Sequence, residues 1–242
     1  MSDNSERLRR SWSANADAWS AAVREEKIES RRLATNAAIV EAVMDWLSGA
    51  TGSQPVEGGR RAKNPSLQMV LDLGCGEGWL TRELASRGVM ATGVDASREL
   101  IDRARESGGG TFHALAYDEL KLDETFDVVV ANFSLLEETL PLRAIRALLQ
   151  PSGALVIQTV HPVFSPAPYE DGWRVENFAA FEGEWPEPMP WFFRTLESWS
   201  RLLAEAGFVI AEVREPLHPE RRQPLSLILI CHPATQPSPP RG

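Results

Sequence analysis

The stretch MVLDLGCGEGWL, residues 69–80, decides the fold. Met69, Val70, Leu71 and Leu73 form a short, nearly continuous apolar run. That pattern predicts a strand buried on both faces, with Asp72 interrupting it. Gly74, Gly76 and Gly78 follow at alternating positions, where missing side chains let a ligand approach the main chain. From Gly78 onward WLTRELASRG has helical spacing, with Leu80 and Leu84 on one face and Gly88 placed to end the helix. A strand, a glycine turn and a helix start make a nucleotide pocket.

The glycine spacing narrows the ligand. A dinucleotide fingerprint wants G-x-G-x-x-G, whereas this turn reads G-x-G-x-G with Trp79 where the third glycine of that fingerprint would fall. Residues 89–94, VMATGV, predict a second strand ending on Asp95, a carboxylate placed to accept hydrogen bonds from both hydroxyls of a ribose.

With Asp72-Leu-Gly74-Cys-Gly76-Glu-Gly78 and Gly93-Val-Asp95-Ala-Ser97 in place, the sequence resembles the class I S-adenosylmethionine-dependent methyltransferases. Phe126-Asp-Val-Val-Val-Ala-Asn132 and Leu149-Gln-Pro-Ser-Gly153-Ala-Leu-Val are weaker matches, and the resemblance covers residues 69–159 well. It implies an α/β, Rossmann-like sheet of seven mostly parallel strands with an antiparallel last strand and helices on both faces. It further implies S-adenosyl-L-methionine as cofactor and S-adenosyl-L-homocysteine as product. The cofactor-binding candidates are Asp72, Gly74, Cys75, Gly76, Gly78, Asp95 and Ala96. Asn132 joins them at the methionine end, and Tyr117 or Asp118 near the adenine. Ala116 falls where the family often carries an acid, so the adenine contact departs from its commonest pattern.

Composition bounds the partners. The chain has 242 residues, 43% of them hydrophobic, a formal charge of -9 and two cysteines. The negative field repels nucleic acid, no apolar run reaches membrane-span length, and Cys75 and Cys231 suggest neither a disulfide framework nor a metal site. The N-terminal residues lack the apolar core of a signal peptide, so the cytoplasm is the expected location. A homodimer is open on these grounds.

Residues 1–66 read as an N-terminal helical lid and linker, 67–235 as the cofactor-binding domain, and 236–242 as a disordered tail. Within the first part, residues 1–10 read as disordered. Trp12, Ala16, Trp19, Val23, Leu33, Ile39, Val43 and Leu47 then recur at helical spacing. In the family resembled, such helices often close over the cofactor, making Trp19 and Arg24 candidates for closure; Arg31 and Arg32 read as a solvated face. Residues 51–66 read as a loop. Ser97 is placed to cap the helix after Asp95. An insertion after the fifth strand, residues 161–194, has little regular pattern but is crowded with aromatics and leaves the strand on the ligand side of such sheets.

Methyl transfer to a carbon made electrophilic by a sulfonium requires positioning and a suitably deprotonated acceptor. His161, directly after a strand, is the first candidate for a general base, and His218 could reach the same pocket. His113 reads as a packed strand residue. Trp173, Arg174, Trp191 and Arg194 are candidates for holding a substrate ring or carboxylate. These features predict methylation, by in-line displacement, of a small, partly apolar or aromatic molecule, at oxygen first, with nitrogen and carbon left open. The competing readings are a nicotinamide-dependent oxidoreductase, disfavoured by the glycine spacing and by the lack of a catalytic tyrosine and lysine pair, and a non-catalytic S-adenosylmethionine-binding protein.

Overall fold

A computed structural model describes residues 3–49, 68–164 and 168–234. The predicted linker at 51–66 and the 236–242 tail lie outside the described residues. The centre of the fold is a seven-stranded sheet, numbered in chain order: β1 (Met69–Leu73), β2 (Met90–Asp95), β3 (Thr111–Ala114), β4 (Phe126–Asn132), β5 (Leu149–Thr159), β8 (Phe208–Arg214) and β9 (Leu227–Pro233). Its spatial order is β3-β2-β1-β4-β5-β9-β8. β9 runs antiparallel to both β5 and β8, and the remaining neighbours pair in parallel. The expected sheet, with its antiparallel last strand, is therefore present.

The central strands look uninterruptedly apolar because alternate residues feed two cores. Leu71, Val129, Ala131, Leu155, Ile157 and Leu229 pack under α6 (Leu142–Leu148) and α7 (Leu196–Glu205). Val70, Val128, Val130, Val156, Ile228 and Ile230 face α3 (Asn36–Ser48) and α4 (Trp79–Ser86). Asp72 shares the second face, and Thr81 Oγ1 on α4 donates a 2.7 Å hydrogen bond to its carboxylate. A third cluster seats α5 (Arg98–Ser107) through Ile101 and Ala104 against Phe112 and Cys75. Ser97 caps α5, its hydroxyl accepting from Leu100 N at 3.3 Å.

Three regions differ from expectation. Residues 1–10 are not disordered throughout: α1 (Asp3–Ala14) begins at the third residue and buries Ser5, Leu8 and Ser11. That stripe escapes an apolar count because two of its three members are serines. A second helix, α2 (Ala16–Arg24), and a π-helical turn over Arg31–Thr35 complete the N-terminal part before α3. The aromatic insertion contains a hairpin, β6 (Gly172–Glu176) paired antiparallel to β7 (Met189–Phe193). Phe192 N donates to Leu136 O at 2.8 Å, binding the hairpin to the loop after β4. His113 is exposed rather than packed, since β3 is an edge strand and His113 lies opposite its buried Phe112 face.

Glycine is required at two points of the turn after β1. Gly74 has φ +74°, and a Cβ there would lie 2.3 Å from Ser134 Cβ; Gly78 has φ +85°, and its Cβ would lie 2.7 Å from the Phe112 ring. Gly88 has a similar φ of +88° but open space around it. Gly88→Ala should therefore cost only left-handed backbone strain, about 1–2 kcal/mol. Gly78→Ala should add about 1–3 kcal/mol of overpacking. Urea unfolding of the two variants checks this ordering, and equal losses would contradict it.

Candidate functional site

The carboxyl ends of β1, β2 and β4 open into a cavity, the place where open α/β sheets bind small ligands. The turn after β1 is held against the end of β2: Gly74 N and Cys75 N both donate to Val94 O, at 2.8 and 3.0 Å. Asp95 then accepts from Gly76 N at 2.9 Å through one oxygen and from Ser97 N at 2.8 Å through the other. Each carboxylate oxygen keeps a lone pair for a further donor. Burial raises the Asp95 pKa above the usual carboxylate range, opposed by these backbone hydrogen bonds.

Trp19, Asp72, Gly74, Cys75, Gly76, Asp95, Ala96, Tyr117 and Asn132 line this cavity, as the sequence suggests. Gly78, Asp118 and Arg24 do not. Gly78 faces Phe112 behind the turn, and Asp118 is exposed. Arg24 sits outside as a tie, donating to Ser107 Oγ at 3.1 Å with its Nε 3.7 Å from buried Glu77. The Cys75 thiol is pushed up by burial and stays protonated, which removes it as a nucleophile.

The N-terminal helices form the roof. Leu8, Arg9, Trp12 and Ser13 reach the cavity from α1, and Trp19 from α2. Trp12 and Trp19 meet edge to face at 5.1 Å, and Trp19 meets Trp185 at 6.4 Å. Asn15 fastens the roof: its Nδ2 donates to Glu187 O at 2.6 Å and its Oδ1 accepts from Glu187 N at 3.3 Å. Arg10 adds an ion pair to the Glu187 side chain at 3.0 Å.

Arg31 is the main correction to the sequence reading. It is 9% exposed, not on a solvated face, and lines the cavity. Its guanidinium lies 4.6 Å from the Trp79 ring centroid and 5.6 Å from that of Trp19. Nε donates to Asn36 Oδ1 at 3.0 Å, while Nη2 is buried with no partner among the described residues. Burial lowers its pKa to about 10, so it remains charged at neutral pH. Asn132 Oδ1 is likewise buried and unpartnered among the described residues. Desolvation raises Asp72 to about 7, partly countered by its hydrogen bonds with Thr81. A π-helical turn is a frequent mark of functional positions, but nothing in the composition of residues 31–35 announced it.

The candidate acceptor-side residues are placed elsewhere. His161 Nδ1 accepts from Val163 N at 3.1 Å, which puts the proton on Nε2, 2.7 Å from Glu215 Oε1. Its basic nitrogen is thus committed to a turn, and it does not line the cavity. His218 is buried in the loop between β8 and β9, with Nδ1 accepting from Glu220 N and Arg221 N, both at 3.2 Å. Trp173, Arg174, Trp191 and Arg194 line no part of the cavity either. Trp173 packs edge-on to Phe192, and Trp191 to Phe193. Arg174 donates to the carbonyls of Trp173, Pro168 and Glu170. Arg194 is 3% exposed, stacks over Phe192 and Trp199, and donates to the carbonyls of Glu137 and Glu138. The hairpin therefore supports the wall after β4, whose Phe133, Ser134 and Glu137 are the residues that face the cavity.

Comparisons with known proteins agree with this geometry. The chain is 28% identical over 182 residues to an uncharacterised methyltransferase of Schizosaccharomyces pombe, covering 66% of each. It is 34% identical over 106 residues to the ubiquinone biosynthesis O-methyltransferase of Haemophilus ducreyi, covering 38% of this chain and 45% of that protein. The chain thus spans less than two thirds of the length of either relative. Among solved structures, the fold is similar to the 1,6-didemethyltoxoflavin-N1-methyltransferase of Burkholderia thailandensis, at a TM-score of 0.63 and 20% identity, covering 97% of this chain and 92% of that one. It is similar also to magnesium protoporphyrin IX methyltransferase of Synechocystis, at 0.61 and 16%, covering 97% and 99%. At these identities the structures speak to the fold alone. The sequence model of the methyltransferase domain matches residues 57–213, well over half of the chain, and the chain belongs to that family.

Proposed function

We propose that the protein is an S-adenosylmethionine-dependent methyltransferase that methylates a small, partly apolar or aromatic molecule at oxygen. The observation that carries the cofactor is Asp95, half-buried at the cavity wall with both oxygens oriented by backbone N–H groups and a lone pair free on each. Its carboxylate accepts from the two ribose hydroxyls. Arg31 Nη2 donates to the methionine carboxylate, and Asn132 Oδ1 accepts from the methionine ammonium. Gly76 leaves room for the ligand against the main chain, while Trp19 and Trp12 close the cavity from above. Tyr117, not Asp118, borders the adenine. The cofactor supplies a methyl group on a cationic sulfur. The chain's part is to align the acceptor opposite that sulfur and to exclude water. Oxygen as the receiving atom is supported by relatives named as O-methyltransferases. The division into a helical cover at 1–66 and a cofactor-binding body at 67–235 belongs to the same proposal, with 161–194 as the body's supporting insertion.

Isothermal titration with S-adenosylhomocysteine tests the reading: saturable binding is expected, and none at millimolar ligand would overturn it. Asp95→Asn and Arg31→Met should each weaken binding by about 10–100-fold, the loss of one or two charge-assisted hydrogen bonds. Asp95→Asn should also lower the melting temperature, because its amide nitrogen cannot accept from Gly76 N or Ser97 N. A second expectation concerns pH. Asp72, with a pKa of about 7, is neutral below that value and ionised above it, and an ionised carboxylate favours a cationic ligand. The preference for S-adenosylmethionine over the uncharged thioether S-adenosylhomocysteine should rise as pH increases through about 7, with each unit of Asp72 pKa lowered by the cation worth about tenfold. Asp72→Asn should flatten that rise.

A further inference from the structure

The cavity contains a second pair of opposite charges, Arg9 and Glu137, that has no part in the cofactor contacts proposed above. α1 contributes Leu8, Arg9, Trp12 and Ser13 to the cavity lining. Its Ser13 end donates to Glu99 Oε2 at 3.1 Å beside the start of α5, on the Asp95 side. One turn earlier, Arg9 faces Glu137 in the loop after β4. Ser13 and Arg9, one helical turn apart, thus face different elements across the cavity, the start of α5 and the loop after β4. Leu8, Trp12 and Phe133 give the same cavity apolar and aromatic surface.

Arg9 Nε stands 3.8 Å from Glu137 Oε1, an ion pair outside hydrogen-bonding distance, and the two side chains are 31% and 16% exposed. Among the described residues, the Arg9 guanidinium makes no hydrogen bond. Glu137 is fixed from behind: Arg194 Nη2 donates to the carbonyls of Glu137 and Glu138, and Phe192 N donates to Leu136 O. A carboxylate carried on a braced main chain and an unsaturated guanidinium thus lie side by side at the cavity.

Resting on the methyltransferase reading, the geometry points to Arg9 and Glu137 as the specificity-determining residues for the methyl acceptor, a flat aromatic hydroxy acid. Arg9 takes its carboxylate and Glu137 accepts a hydrogen bond from its hydroxyl on the same ring edge. The sign of the ligand follows from the cofactor. Bound S-adenosylmethionine carries a sulfonium and an ammonium against its own carboxylate, a net positive charge that favours an anionic acceptor over an amine, and Arg9 keeps that preference when the sulfur is the uncharged thioether. The apolar wall of Leu8, Trp12 and Phe133 matches a ring rather than a sugar or a peptide.

The test uses the full chain saturated with S-adenosylhomocysteine, titrated with 3-hydroxybenzoate, benzoate and phenol while tryptophan fluorescence is followed, Trp12 being in the wall. Parent protein should bind 3-hydroxybenzoate at least about tenfold more tightly than either fragment, the scale of one charge-assisted hydrogen bond. Arg9→Leu should abolish the advantage over phenol, and Glu137→Leu, which has no acceptor, the advantage over benzoate, with S-adenosylhomocysteine affinity unchanged in both. If parent protein saturates with S-adenosylhomocysteine yet shows no preference for 3-hydroxybenzoate, or if either variant keeps the preference it should lose, the acceptor assignment is overturned and the cofactor reading stands. Absence of S-adenosylhomocysteine binding overturns both.

Discussion

The turn after β1 has to be held against the end of β2, and the fold and the cavity both depend on how this is done. Gly74 N and Cys75 N converge on Val94 O, and Gly76 N on the Asp95 carboxylate. These bonds use up the turn's leading donors, align the start of α4, and leave Asp95 oriented from two sides. The adjoining sheet is the frame this needs: β1 lies between β2 and β4, so one turn borders the ends of three strands. Asp127 reinforces the frame from the opposite edge, its Oδ2 accepting from Met69 N at 2.9 Å where β1 begins.

Burial explains why polar groups in this region have unusual properties. Asp72, Arg31 and Tyr117 are all displaced from their ordinary ionisation, and desolvation is the leading cause in each. For Tyr117 the hydroxyl is spent on Ser134 O at 2.7 Å, so it braces the wall after β4 and is not a proton donor. The same loop takes its shape from Phe133, whose φ of +53° is unusual for a side chain with a Cβ, and from the Arg194 bonds to the carbonyls behind it. Side chains outside the cavity thus govern the shape of its wall.

The sheet was legible because its signals are local. Apolar runs, alternating glycines and a terminal aspartate each act within a few residues, and β1, β2, β4 and β5 fall where they indicate. The glycine-turn half of the site was legible for the same reason. The roof was not. Arg31 looks like any surface arginine until a π-helical turn carries it between Trp19 and Trp79, and the Ser5, Leu8 and Ser11 stripe of α1 has almost no apolar signature. The aromatic density at 169–193 marks a packed hairpin and its loop. Those rings pack mainly on one another and on Arg174 and Arg194, as in the Phe178 and Trp185 stack at 4.2 Å, because a two-stranded hairpin outside the main sheet needs its own core. His161 was misplaced by the same limit: position after a strand does not reveal that Val163 N and Glu215 engage both ring nitrogens.

The joint between Asn15 and Glu187 has a consequence for how the protein can vary. Asn15 engages the N–H and C=O of residue 187 with its own amide, so these two bonds read the path of the main chain and are indifferent to which side chain sits there. Only the Arg10 pair depends on Glu187 being acidic. Natural drift at the exposed hairpin tip, and deliberate loop grafting there, can proceed while the roof stays attached, provided the backbone at 187 keeps its direction. The roof and the tip are therefore separable units for engineering, joined by a fastening that requires the asparagine on one side and no particular residue on the other.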